Sequence, residues 1–398
     1  MSIDWATDFD ILDPRYVADP AGVWAGLRET CPIARTDRHG RTWMPVTYDE
    51  VTAIAHDVGR FSSRDVGVIT PGRDTDPMVT TLLEAPPITS DPPLHTWARR
   101  LLLPAFSPAA IDAVTPVTRA LANELIDRFE GREADAAADY AQHIPVRVIA
   151  TMLGIPPEEE DTFTGWAVTI LQEGFTQIER AAGAVMELIG YFRERIAERR
   201  EVPPGERPDD LLTLLIEAEH EGAPLTERHV IGSCFLLLIA GIDTTWSAIG
   251  SSLWHLATHP DDQARLRAEP DLLPYAVEEF LRFYSPVTMA RFVTDDVEVH
   301  GCPMQRGDKV LMTFPAANRD PAVFDRPDEF VIDRARNRHV AFGSGIHRCL
   351  GSNLARMELR VAIEEWLRRI PTFELAGTGD VAWTGGQVRG PRRVRVRW

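Results

Sequence analysis

Residues 227–257 set the strongest constraint on the fold: apolar side chains recur there at helical spacing, and no proline interrupts them. A helix with so little polar surface belongs inside a core. Its most apolar run, CFLLLIAGI at 234–242, is about half the roughly twenty residues a bilayer span requires, so no membrane anchor is expected. Helical spacing also marks 21–29, 94–103, 116–129, 179–200 and 352–369. Strand-like alternation is confined to 42–46, 292–299, 309–313 and 394–398. The expected fold class is mainly α with small peripheral β-sheets.

The charge balance, 60 Asp and Glu against 42 Lys and Arg for a formal net charge of -18, repels phosphate at long range, so no nucleic acid partner is expected. The N-terminus begins with acids and lacks both a basic region and a continuous apolar core, which predicts no secretory signal and a cytoplasmic protein. Cys31, Cys234, Cys302 and Cys349 show neither CxxC spacing nor the density of a disulfide scaffold. Length alone, 398 residues, suggests two or three domains. The segment 59–93, with TPGRDTDP and EAPPITSDPP, is too long and irregular for a simple connection and reads as a functional loop. The polar stretch 200–210 reads as a linker or as a short turn between helices.

Chemistry is concentrated in a few local patterns. In AFGSGIHRCLGSNLARME at 341–358, glycines 343, 345 and 351 surround Cys349 just before an amphipathic helix. Glycine lets a backbone turn tightly and approach a flat ligand, and the helix's free N–H groups and positive end favour a thiolate. In AGIDTT at 240–245, an acid and two hydroxyls interrupt an apolar helix. A threonine hydroxyl bonding the carbonyl four residues back loosens the ladder, and Ala240 with Gly241 leave room for a molecule the size of dioxygen; a kinked, solvent-facing turn is the plain alternative. Glu279 and Arg282 are three apart on one helix face, an ion pair commonplace at surfaces. His95 and Arg99 in HTWAR are four apart and can both donate to one anionic group, unless that face is merely solvated.

The stretch around Cys349 resembles the cytochrome P-450 signature, with Phe342, Gly343, Gly345, His347, the ligand Cys349, Gly351 and the downstream Leu354-Ala355-Arg356 in place. The resemblance covers nearly the whole chain, its motifs running in order from the His95 helix to the Cys349 loop. It implies a single domain over residues 1–398 with the cytochrome P-450 fold. Haem b would lie between the long central helix and the helix after the cysteine loop. Cys349 becomes the axial ligand of the haem iron and Phe342 its packing partner, with Gly343, Gly351 and Ala240 against the cofactor. His95, Arg99, Arg291 in VTMARFV and His347 become propionate ligands. Asp243 is assigned to proton relay and Thr244 to orienting water where oxygen is activated, while Glu279, Arg282 and Arg334 in DEFVIDR form a structural network bracing the loop. The departures are Ala240, where the family often has Gly, and Arg348 at a variable position; both bear on pocket shape.

The reaction so implied is monooxygenation, in which one atom of O2 enters a small organic, largely apolar substrate by hydroxylation, epoxidation or dealkylation. Thiolate donation to haem iron favours O–O cleavage. No flavin or iron-sulfur segment is visible in the sequence, so NAD(P)H-derived electrons are expected through a separate ferredoxin and ferredoxin reductase, acting on a monomer. By family position Leu236, Ile239, Ala240, Val287 and Met289 line the substrate pocket, with core packing the alternative. Phe163, Trp166 and Phe175 would suit a bulky or aromatic molecule, or simply a helical core. Arg334, Arg336, Arg338, Arg348, Arg356, Arg360, Arg368 and Arg369 outnumber Glu358, Glu364 and Glu365, so the cysteine side should be basic and could steer an acidic ferredoxin; a solvated helix with scattered arginines competes. A peroxide-driven haem-thiolate enzyme and a haem-based gas sensor or carrier are the competing functions, and the Asp243–Thr244 pair disfavours them. The sequence selects no particular substrate.

Overall fold

In the computed structural model, residues 3–68, 85–170, 177–377 and 381–398 are described; the centre of the 59–93 segment and Phe175 lie outside them. The helical body is built from α1 (Leu94–Leu102), α2 (Pro108–Asp127), α3 (His143–Met152), α4 (Ile178–Glu201), α5 (Glu227–Thr258), α6 (Leu273–Phe283) and α7 (Ser352–Arg369). The α5 helix starts at Thr226, whose hydroxyl accepts from the His229 N–H and so caps the first turn. It is long and apolar enough to cross a membrane, yet 72% of its most apolar window is buried inside the protein, so the core uses that surface. Helices α3, α4 and α7 pack on it, and α2 packs on α7. Leu125, Ile149, Leu238, Ile249, Leu253 and Trp366 meet in one continuous core.

The α2 helix begins eight residues before the sequence pattern predicts, with Ser107 capping the Ala110 N–H and Pro108 in the first turn, where its missing donor costs nothing. Pro116, which reads as a start signal, lies inside this helix. The predicted 292–299 strand is divided into Met289–Val293 and Val297–Val299 by a turn through Asp296, whose carboxylate accepts from the Arg306 N–H.

The main sheet comprises β1 (Ile33–Thr36), β2 (Thr42–Pro45), β3 (Phe61–Ser62), β4 (Met289–Val293) and β5 (Lys309–Met312), in the order β1-β2-β5-β4-β3. Only the β2–β5 pairing is parallel. Side chains alternate across a strand, so Met289 and Arg291 project from the same face of β4.

A buried polar network joins α6 to the segment that leads to the cysteine loop. Glu279 and Arg282 on α6 are both fully buried and form a two-pronged ion pair, with Arg282 Nη2 donating to Oε1 at 2.7 Å and Nε to Oε2 at 2.8 Å. The remaining Arg282 donors reach the carbonyls of Asn318, Pro327 and Glu329, so every guanidinium N–H is used. Glu279 also accepts from Arg334 Nε at 2.9 Å, Asn337 Nδ2 and the Val331 N–H. Asn318 passes the connection on, its Oδ1 accepting from the Val340 N–H at 2.7 Å just before the cysteine loop. Removing one partner of such a pair strands the other charges in low dielectric. Glu279→Ala should therefore lower unfolding stability by about 3–5 kcal/mol, measured by denaturant titration; an unchanged midpoint and slope would show the network to be dispensable.

Candidate active site

The cysteine loop is held on both sides. Gly343 and Gly345 adopt φ of 71° and 70°, the left-handed region that suits glycine. At Gly345 a Cβ would also stand 2.5 Å from the carbonyl oxygen of Ala55, in the helix Tyr48–His56, so the loop's close approach requires glycine twice over. Ser344 Oγ lies 2.8 Å from His56 Nε2 on that same helix. Within the loop, the Cys349 N–H donates to the Phe342 carbonyl at 2.7 Å, which turns the thiol toward the start of α7.

Cys349 has substantial accessible surface, yet burial is the largest influence on its thiol and pushes it upward. Both hold for a group that faces an internal cleft rather than bulk water. The Gly351 N–H and the charges of Arg99, Arg348 and Arg356 act in the opposite direction, favouring the thiolate. Phe342 packs beside the loop with the Arg356 guanidinium 4.4 Å from its ring centroid, and Arg356 is itself paired to Glu278. Gly351 is the residue before α7 and contributes its N–H, with nothing within 4 Å of where a Cβ would lie.

His95 and Arg99 share one face of α1, and the rings of His95 and His347 stand 4.2 Å apart. Burial, then the charges of Arg291, His95 and Arg99, push His347 down to about 3. Burial likewise lowers His95, with Arg99 adding to it, and brings Arg291 to about 10. The Ile346 backbone hydrogen-bonds His95, Arg291 Nη1 donates to the Ala290 carbonyl, and among the described residues no carboxylate is paired with these four groups. The nearest acid, Asp91, is occupied by Ser62 Oγ and the Ser63 N–H. Arg99 and Arg291 place positive charge beside two imidazoles whose protonation is disfavoured, an arrangement suited to an anion that the described residues do not supply. Two propionates beside a thiolate fit that donor set.

Opposing chemistry lies on α5. Leu236, Ile239 and Thr244 are only partly buried and Ala240 is exposed, within a helix most of whose residues are buried. Thr244 Oγ1 donates to the Ala240 carbonyl at 3.0 Å, the back-bond anticipated from AGIDTT. Val287 and Met289, also partly buried, belong to the segment entering β4 and to β4 itself. Phe163 is fully buried against Trp166, Tyr191 and Phe192, and Trp166 donates to Glu187, so these aromatics build core rather than a pocket wall. Cys31, Cys234 and Cys302 are free thiols, and burial pushes Cys234 and Cys302 upward, in keeping with inert thiols.

Two residues near the site carry no local sequence signal. Glu358 on α7 is buried, bonds Thr245 on α5, and is pushed up to about 8 by burial. Its position four residues after Leu354 on the apolar face of α7 is the only hint. Arg392, from the C-terminal segment, donates to Asp243 across 149 residues of sequence. The expected basic surface is halved: Arg334, Arg356, Arg368 and Arg369 are engaged by Glu279, Glu278, Glu365 and Asp127, leaving Arg336, Arg338, Arg348 and Arg360 as the exposed members with no ion pair among the described residues.

The family description for cytochrome P450 matches residues 167–376. The mycinamicin IV hydroxylase/epoxidase of Micromonospora griseorubida is 33% identical over 387 residues, covering 95% of both chains. The nocardicin C N-oxygenase of Nocardia uniformis subsp. tsuyamanensis is 36% identical, covering 89% of each. Among solved structures, the bacillaene polyketide synthase cytochrome P450 PksS of Bacillus subtilis 168 superposes with a TM-score of 0.88 at 32% identity, over 98% of this chain and 99% of that one. The chain belongs to the cytochrome P450 family.

Proposed function

We propose that Cys349 is the axial thiolate of this haem-thiolate monooxygenase, that Asp243 and Thr244 serve proton delivery, and that one atom of O2 enters a small, largely apolar organic substrate. The observation that carries this reading is the conjunction of a thiol aided by the Gly351 N–H with two histidines and two arginines that have no carboxylate partner among the described residues. When bound, haem b supplies the oxygen activation that thiolate donation promotes. His95, Arg99, Arg291 and His347 would hold its propionates, the two guanidinium groups supplying charge and the imidazoles hydrogen bonds. Gly343, Gly351 and Ala240 leave room for a flat ligand, and Phe342 closes the side of the thiol loop.

Thr244 spends its proton on the Ala240 carbonyl, which leaves its oxygen lone pairs free to accept from a water in the cleft. Asp243, one residue earlier, is the nearby carboxylate through which a proton can be passed inward. This pair favours O2 with external electrons over a peroxide-driven or gas-sensing role. Leu236, Ile239, Ala240, Val287 and Met289 would present the substrate surface, an apolar one. Relatives named for mycinamicin IV and nocardicin C share the frame, which supports a small organic molecule without selecting one. Electrons derived from NAD(P)H would come through a ferredoxin and its reductase, attracted by Arg336, Arg338, Arg348 and Arg360, in a monomeric, single-domain, cytoplasmic enzyme.

Cys349→Ala should abolish the thiolate-type carbon monoxide difference spectrum of the reduced protein; an unaltered spectrum removes the ligand assignment. Thr244→Ala should keep consuming reducing equivalents while releasing more peroxide than product, and tight coupling in that variant refutes the hydroxyl's role. Electron transfer from an acidic ferredoxin should slow as salt rises past about 0.1 M, and insensitivity to salt rules out steering by the exposed arginines.

A further inference from the structure

Asp243 is shut away from water, its side chain only 4% exposed, and its partner is Arg392. That guanidinium is fixed from several directions. Nη1 also lies 3.3 Å from Ser247 Oγ, Nη2 lies 3.4 Å from Thr384 Oγ1, and the group stands 4.7 Å from the Trp246 ring centroid. Arg392 closes a C-terminal hairpin in which Trp383 pairs with Pro391 and the Gly390 N–H donates to Thr384 Oγ1.

The hairpin cannot slide along α5. A Cβ on Gly390 would fall 2.4 Å from Ser247 Oγ, and Pro391 abuts Gly250. Its other end walls the substrate region: Val388 pairs with Val287, the Thr288 N–H donates to the Gln387 carbonyl at 3.0 Å, and Gln387 Nε2 meets Met289 Sδ at 3.4 Å. One short, braced element thus contacts both the relay acid and two pocket residues.

We propose that Arg392 is a positioning residue of the monooxygenase, holding Asp243 ionised and in place from a braced C-terminal hairpin. This rests on the relay role proposed for Asp243. Burial pushes the Asp243 carboxyl up and sets the net direction, while Arg392, by charge and by hydrogen bond, is the group that opposes it. Other charged groups on the surrounding elements are committed elsewhere. Glu358 from α7 is pushed up to about 8 and so is largely protonated at neutral pH, Arg147 from α3 is paired with Glu124, Asp139 accepts from the Asp135 N–H, and Arg389 of the hairpin lies over Trp383. Removing the Arg392 cation leaves only the upward push.

The test is carbon-13 NMR of holoenzyme labelled at aspartate carboxyl carbons, in the diamagnetic reduced carbon monoxide form, with the Asp243 signal identified by its loss in Asp243→Asn. Arg392→Gln should raise the titration midpoint by about one pH unit or more, a tenfold change in the protonation equilibrium, and lower product yield per reducing equivalent. Arg392→Lys should restore most of both. A merely structural arginine would leave the midpoint where it was, and that result overturns the proposal. The unsubstituted enzyme supplies a second test that needs no variant: an ion pair demands an ionised acid, so Asp243 found protonated at pH 7 also overturns it. Full coupling in Asp243→Asn would instead remove the relay role and leave the effect of Arg392 on the midpoint standing.

Discussion

The structure depends on one carboxylate with no access to water. Glu279 accepts from Arg282, Arg334, Asn337 and the Val331 backbone, while Arg282 spends its remaining donors on carbonyls of the segment leading to the cysteine loop. Burying an ion pair carries a desolvation cost that Coulomb attraction repays only when the geometry is good and the leftover donors are satisfied. Both conditions hold. What such a network confers is less raw stability than a unique arrangement: a segment without regular secondary structure is fixed through its own backbone. Asn318 then transmits that fixity to Val340, so the thiol's position is inherited from a hub on α6.

The electrostatics of the two faces of the cleft are complementary. On one face the charges of Arg99, Arg348 and Arg356 act on a thiol, and His95, Arg291 and His347 crowd together without an acid among them. On the other, α5 presents small and hydroxylated residues with a single acid already paired. Arg99 and Arg291 give the first face its positive charge, which an anionic group would complement. The second is nearly neutral, as an apolar substrate and dioxygen require.

Much of this was legible in the sequence because its signals are local. The glycines around Cys349, the back-bonding threonine of AGIDTT and the His95–Arg99 spacing each work within one turn or one loop, and the structure puts them where those rules point. The helix 352–369 was readable to the residue. The start of α2 was not, since Pro116 signals a helix start and only the Ser107 cap, visible in context, reveals the earlier one. The Ile33–Thr36 strand was missed because its residues show no alternation; pairing with Thr42–Pro45 makes it a strand. Arg392 and Glu358 escaped for the same reason at longer range. Their meaning lies in partners, Asp243 and Thr245, that no window of sequence brings near. The arginine count misled because half of those charges are internally neutralised, which composition cannot register.

The crowding at Gly345 bears on the order of assembly. Its backbone rests against the Ala55 carbonyl, and its neighbour Ser344 meets His56, so the last turn before the thiol is shaped by a helix near the opposite end of the chain. A contact spanning so much sequence closes late, after local helices have formed. The thiol's final pose therefore waits on the docking of a helix 288 residues earlier in the sequence.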